Sequence, residues 1–203
     1  AALIVAAGRG HRFGGELPKQ YCELGGEPIL RRTLRPFIEN SKIDRVLTVI
    51  AAKDQELYKL ATKDFKLLFP VFGGPDRQAS VLNGLEALKD YGPDIVLIHD
   101  AARPFVKSSM VSKVIEGLQK NTGVVPGLKV SDTIKSVRNG LIAATVDRTD
   151  LWHVQTPQGF HFSAILEAHR QSVGMDFTDD AAVGEWMGLD IAMIDGHKEN
   201  IKI

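Results

Sequence analysis

Short apolar runs alternate with longer amphipathic stretches along most of this chain. Residues 3–6, 46–51 and 95–98 are rich in β-branched side chains and nearly free of polar ones. That pattern predicts parallel strands covered on both faces. Between them, 29–39, 54–62 and 77–91 carry helical spacing, and Val81, Leu82, Leu85 and Leu88 fall on one stripe of the third. A strand over 67–72 precedes that helix, and 111–119 reads as another helix. The alternation then changes. Residues 124–125 and 130–134 read as strand, and 133–137 with 141–146 as a hairpin, because Asn139-Gly140 supplies the positive φ angles of a tight turn. This antiparallel arm, spanning about 131–150, is either a dimer contact or lid, or a plain edge hairpin; the pattern leaves both open. Residues 163–172 and 179–187 are helices, the second capped by Thr178, and 191–194 and 201–203 are strands that close the sheet. The expectation is an α/β fold: a Rossmann-like, mostly parallel sheet with helices on both faces, right-handed crossovers and a protruding antiparallel β-arm, in one domain over 1–203.

Composition narrows the partners. Lys+Arg and Asp+Glu are both 25 of 203 residues, so the chain has no general attraction for nucleic acid or an anionic membrane. A single cysteine, Cys22, excludes an internal disulfide and a Cys-based zinc site, and fits a reducing cytoplasm. No apolar run is long enough to span a bilayer, so a soluble protein is expected. Both ends read as cut, which suggests a trimmed chain or one domain of a longer one.

Candidate chemistry starts after the first strand. Ala6-Ala7-Gly8-Arg9-Gly10-His11-Arg12 leads into Pro18-Lys19-Gln20, placing cations among glycines where backbone N–H groups can approach phosphate oxygens. The segment is neither a P-loop, which needs Lys followed by Ser or Thr, nor a dinucleotide fingerprint, since Phe13 stands where the third glycine belongs. A polyphosphate site held by Arg12 and Lys19 remains, against the alternative of a solvated glycine loop.

Asp100 ends a central strand, at the edge where open α/β sheets bind ligands, and its carboxylate suits Mg²⁺ beside a triphosphate; the alternative is a helix cap or a pair with Arg103. Gly73-Gly74-Pro75-Asp76 opens the helix at Arg77 on the same edge. Small residues there admit a base, and Arg77 and Ser80 offer donors, unless the segment is only a turn capped by Asp76. Thr133, Arg148 and Lys202 are dispersed beside extended segments and together could clamp a second anion. Thr156-Pro157-Gln158 shapes a turn, Asp179 and Asp180 are further metal-ligand candidates, and His99, His153 and His161 lack ligand spacing and read as structural.

Taken in order with Ile98-His99-Asp100-Ala101-Ala102-Arg103-Pro104, Asp132-Thr133, Leu151 to Gln158, Thr178 to Ala181 and Asn200 to Ile203, these motifs resemble the 2-C-methyl-D-erythritol 4-phosphate cytidylyltransferases over essentially the whole chain. The resemblance implies coupling of CTP to methylerythritol phosphate with release of pyrophosphate, in non-mevalonate isoprenoid synthesis. It implies Arg12 and Lys19 as catalytic cations on the triphosphate, and Ala6, Ala7, Gly8 and Gly10 as the loop lining the nucleotide. Ser80 and the Gly74 backbone would recognise cytosine, Asp100 would bind Mg²⁺, and Arg103 would support the site. Thr133, Arg148 and Lys202 would grip the methylerythritol phosphate, with the arm of one subunit reaching the other in a homodimer. The compartment implied is cytoplasm, or plastid stroma in a plant, and fusion to a cyclodiphosphate synthase is compatible with the end of the chain. One departure is Pro75, which has no N–H to offer a base. Two rivals share much of the pattern: a cytidylyltransferase for another polyol phosphate such as ribitol 5-phosphate, and a nucleotide-binding module without catalysis.

Overall fold

The strands follow the apolar runs. In the computed structural model, which describes residues 1–8 and 17–203, they are β1 (Ala2–Ala6), β2 (Val46–Ile50), β3 (Val71–Phe72), β4 (Ile95–Asp100), β5 (Gly123–Lys129), β6 (Ile134–Arg138), β7 (Leu141–Val146), β8 (Trp152–Val154), β9 (Gln158–His161) and β10 (Ile191–Asp195). The helices are α1 (Ile29–Ile38), α2 (Gln55–Ala61), α3 (Arg77–Leu88), α4 (Ser108–Gly117), α5 (Phe162–Gln171) and α6 (Asp180–Trp186).

The main sheet runs β10-β5-β9-β4-β1-β2-β3, with β8 added against β5. Every pairing from β4 through β1 and β2 to β3 is parallel, as is β10 with β5; β9 runs antiparallel to both of its neighbours. All five residues of β2 are buried, as a strand covered on both faces requires. One apolar layer lies between the sheet and α1, α2 and α4, and holds Leu30, Leu34, Phe37, Tyr58, Val111 and Val114. The other lies under α3, α5 and α6, with Leu3, Val81, Leu85, Phe160, Ile165 and Val183. This is the expected mixed α/β architecture, and the two-stranded β6–β7 sheet stands apart from it. Among the described residues no helix is long and apolar enough to cross a membrane.

Four local expectations change. Residues 67–72 pair only at Val71–Phe72, apart from one bond from Leu68 N–H to the Val46 carbonyl at 3.0 Å. Residues 130–134 are not a continuous strand: Val130 still donates to the Leu151 carbonyl at 2.9 Å, and the chain then leaves the sheet to enter the arm. The cap of α6 is Asp179, not Thr178, because its Oδ1 accepts from Ala182 N–H at 2.9 Å. Residues 201–203 do not close the sheet. Asn200 and Ile201 make local turn bonds, and the Ile203 N–H donates to the Ala102 carbonyl at 2.9 Å, turning this segment over the edge of β4.

Candidate functional site

The carboxyl ends of β1, β3 and β4 lie at one edge of the sheet, and several of the predicted site residues, Ala7, Gly74, Ser80, Asp100, Arg103 and Lys202 among them, gather there. Gln20, in the short 3₁₀ turn Lys19–Tyr21, is buried and donates from Nε2 to the carbonyls of Ala6 at 2.7 Å and Gly8 at 3.2 Å. It fixes the point where the chain leaves β1. Gly10 and Arg12 lie outside the described residues.

Beside that exit sits the Gly73-Gly74 turn. A side chain on Gly73 would put its Cβ 2.4 Å from the Ala7 Cβ, and one on Gly74 would meet the Ala79 Cβ at 2.5 Å, so neither position can carry one without displacing its neighbour. Asp76 caps α3, its Oδ1 accepting from Ala79 N–H at 2.7 Å. The Ser80 hydroxyl donates to the Asp76 carbonyl at 2.7 Å and accepts from Gly74 N–H at 3.1 Å. Ala7, Gly73, Gly74 and Ser80 thus form one small-residue shelf, on which the Ser80 hydroxyl and the Gly74 amide already satisfy each other.

Asp100, the last residue of β4 and largely buried, is the electrostatic centre. Lys202 Nζ lies 2.8 Å from its Oδ2, Arg77 Nε 3.4 Å from its Oδ1 and Arg103 Nε 3.7 Å from its Oδ2. Burial would push this carboxyl up, but the charges of Arg77 and Lys202 outweigh it and hold the group well below the usual carboxylate range. Asp100 is therefore an anion at all physiological pH, facing three cations drawn from α3, the β4–α4 loop and the segment after β10. Of the alternatives weighed for Asp100, the pair with Arg103 is present, together with pairs to Lys202 and Arg77, at the carboxyl edge of the sheet.

The segment after β10 is tied down by buried amides. Gln155 donates to the carbonyls of His197 at 2.9 Å and Asn200 at 3.3 Å, and accepts from His197 N–H at 3.1 Å. Asn200 donates to the Thr156 carbonyl at 2.9 Å, and Arg103 Nη1 to the Asn200 carbonyl at 2.9 Å. These bonds carry Lys202 to Asp100 and bring the Ile203 carbonyl to Lys19 Nζ at 2.5 Å, so Lys19 and Lys202 flank the same edge.

Behind Asp100, His99 is fully buried and its pKa is pushed down to about 4 by burial, so the ring is neutral. Its Nε2 faces the Arg103 carbonyl at 3.2 Å, which can only accept, so the ring proton is on Nε2. Nδ1 is then an acceptor for the Thr156 hydroxyl at 2.9 Å, and the Thr156 oxygen in turn accepts from Asp100 N–H at 3.2 Å. The direction of every bond in this chain is set by its two peptide ends. The structural reading of His99 holds.

Sequence reasoning missed several of these supports. Arg77 was a candidate donor to a base, but its guanidinium is bound to two carboxylates, Asp100 and Asp180. Asp180 was a candidate metal ligand, but it is fully buried, with Oδ2 2.7 Å from Arg77 Nη2. Asp179 caps α6 and also accepts from Gln158 Nε2 at 2.8 Å. Among the described residues no three His, Cys, Asp or Glu side chains gather as a metal cluster. The one available signal was the polar run Gln155-Thr156-Pro157-Gln158 between two strands, whose three polar side chains are all buried and hydrogen-bonded.

Thr133 and Arg148 stay apart from this cluster. Both are exposed at the base of the arm, and among the described residues no hydrogen bond or ion pair links them to Asp100, Arg103 or Lys202. From residue 135 to 150 every residue is exposed, including Val137, Leu141 and Ile142. Asn139 and Gly140 take φ of 49° and 79°, the tight turn expected from Asn-Gly.

Comparison with known proteins agrees with this fold. Among curated proteins, the "Bifunctional enzyme IspD/IspF" of Rhodospirillum rubrum is 52% identical over 204 residues, covering all of this chain and 53% of the relative. That of Paramagnetospirillum magneticum is 48% identical over 201 residues, covering 99% of this chain and 52% of the relative. The chain thus spans about half the length of these relatives. Among solved structures, 2-C-methyl-D-erythritol 4-phosphate cytidylyltransferase from Thermus thermophilus is 33% identical with a TM-score of 0.80, covering all of this chain and 91% of the other. The Francisella tularensis enzyme of the same description is 27% identical with a TM-score of 0.85, covering 100% and 93%. The model of the family described as "IspD: 2-C-methyl-D-erythritol 4-phosphate cytidylyltransferase" matches residues 1–203, and the chain belongs to that family.

Proposed function

We propose that this chain joins CTP to 2-C-methyl-D-erythritol 4-phosphate, releasing pyrophosphate, as a step of isoprenoid biosynthesis. The observation that carries this reading is the convergence of Lys19, Asp100, Arg103 and Lys202 on the edge of β1 and β4, beside the Ala7–Gly73–Gly74–Ser80 shelf. In the reaction an oxygen of the acceptor phosphate forms a bond to the α-phosphorus of CTP, and the α–β anhydride bond breaks. The attacking oxygen is already ionised near neutral pH, so the chemistry asks for alignment and cations, not for a general base. Lys19 and Arg12 serve the triphosphate, and the shelf takes the base, with Ser80 and Gly74 exchanging their mutual bond for bonds to cytosine. Lys202, with Thr133 and Arg148, serves the acceptor phosphate.

The donor chemistry of Asp100 fits Mg²⁺, which needs only one or two carboxylates when substrate phosphates complete its shell. When bound there, Mg²⁺ would neutralise charge on the phosphates. The exposed apolar side chains of the arm support a homodimer in which each arm covers, and lends Thr133 and Arg148 to, the other subunit's site, since an isolated two-stranded ribbon is marginally stable in water. The relatives named as bifunctional support a fused cyclodiphosphate synthase domain, and the single cysteine supports a cytoplasmic setting, or plastid stroma in a plant. The test is pyrophosphate release from CTP with methylerythritol phosphate or ribitol 5-phosphate, with and without Mg²⁺. Release with the first acceptor only is expected. Equal turnover of both would move the assignment to a broader polyol phosphate enzyme, and CTP binding without turnover to a non-catalytic module.

A further inference from the structure

Arg77 stands between two carboxylates and does not share itself equally. Its Nη2 lies 2.7 Å from Asp180 Oδ2, a short charge-assisted contact, while its Nε is 3.4 Å from Asp100 Oδ1. Asp180 is fully buried in the first turn of α6, and α6 itself is pinned to β9, with Gln158 Oε1 accepting from Ala181 N–H at 2.9 Å and Gln158 Nε2 bonded to Asp179. The anchor is therefore rigid. On its far side Asp180 Oδ1 is 3.3 Å from Nε2 of the buried His169.

We infer that Asp180 is a positioning residue that takes the short contact of Arg77 and leaves Asp100 Oδ1 only the long one, so that this oxygen can be taken by a divalent cation bound with the nucleotide. The inference rests on the functional reading above. Without the Asp180 charge, Asp100 is the one carboxylate among the described residues still paired with the guanidinium, and Coulomb attraction in this half-buried site shortens that 3.4 Å contact. A carboxylate with a short Arg77 contact on one oxygen, in place of the long one, and Lys202 on the other is a poor ligand for a hard cation, which needs that oxygen itself. The negative charge on Asp180 thus acts across Arg77 on a group it never touches.

The test measures metal binding, not turnover. Mn²⁺ bound in the presence of CTP is titrated by electron paramagnetic resonance for the wild-type protein, Asp180→Asn, and the double variant Asp180→Asn/Arg77→Gln, with circular dichroism to confirm folding. Asp180→Asn is expected to weaken Mn²⁺·CTP binding about tenfold, the scale of one added competing ion pair. The double variant, in which Arg77 no longer competes for Asp100 Oδ1, is expected to return to within about threefold of wild type. A purely structural role for Asp180 would leave the double variant as weak as the single one or weaker, and that result overturns the inference, as does wild-type binding by Asp180→Asn. If Asp180→Asn does not fold, the double variant, which removes both buried charges together, decides: it must bind as wild type does. A wild-type protein that binds no Mn²⁺·CTP defeats the functional reading itself, and this inference with it.

Discussion

The Asp100 edge and the β6–β7 arm place polar and apolar groups in opposite ways. At the edge, charged groups from separate stretches of chain are drawn into a half-buried network, and three of them are held through buried neighbours: Lys202 through Gln155 and Asn200, Arg77 through Asp180, the Asp100 backbone through Thr156 and His99. On the arm, apolar residues such as Leu141 and Ile142 lie in the open, and the polar Thr133 and Arg148 at its base are held by none of that network. On the proposed reading, the groups assigned to the nucleotide are framed by the core, as is Lys202 among those assigned to the acceptor, whereas Thr133 and Arg148 are not.

The contrast is broken most severely at Lys19. Lys19→Ala should lower kcat by about 100- to 1,000-fold, the usual cost of losing one preorganised donor, with the fold intact by circular dichroism; near wild-type turnover would remove Lys19 from the proposed chemistry. Next comes the acid response of the edge. His99 is neutral in the folded protein down to pH about 4, whereas the unfolded chain takes up that proton near its ordinary value of 6.5. Stability should therefore fall as pH drops through that window, by about 3 kcal/mol from this group alone, because the unfolded state binds the extra proton. Unfolding in urea at pH 7 and pH 4.5 measures the slope, and His99→Gln should flatten it; an unchanged slope would trace the acid response to other groups.

A smaller effect is expected at Gln20. Gln20→Ala leaves the buried Ala6 carbonyl without this bond and frees the exit from β1, costing about 1–3 kcal/mol of stability. The KM for CTP should rise more than the KM for methylerythritol phosphate, and a reverse ordering would show that this glutamine serves the acceptor. The least effect on the monomer belongs to the arm. Ile142→Asp should change folding stability by no more than about 0.5 kcal/mol, since the side chain is exposed, yet convert a dimer to monomer in analytical ultracentrifugation. A dimer that survives this substitution would place the subunit contact elsewhere.

What could be read in the sequence follows the same division. The β1, β2 and β4 runs and the α3 stripe were legible because burial on two faces, or on one helical stripe, writes itself into the order of apolar residues. The hairpin was legible because Asn139-Gly140 has few other uses. Residues 201–203 misled because Ile201-Lys202-Ile203 alternates like a strand, while its shape is set by side chains distant in sequence, Gln155 and Arg103. The motif residues at the site were visible as types at an expected edge. The pairing of Arg77 with Asp180 was not, since 103 positions separate them and neither stands in an unusual local pattern. Carboxylates in a row, as in Asp179-Asp180, look alike in a sequence, and only the fold separates a helix cap from a buried anchor.

The bond sequence behind Asp100 has one more consequence. It begins at a peptide N–H and ends at a peptide carbonyl, with the Thr156 hydroxyl and the His99 imidazole oriented one way between them. Neither terminus can release or accept a proton, so this row cannot serve as a proton wire to the carboxylate in front of it. The edge of the sheet is in that sense electrically fixed. Over the neutral pH range neither Asp100 nor His99 changes charge, so this part of the edge keeps one fixed charge arrangement.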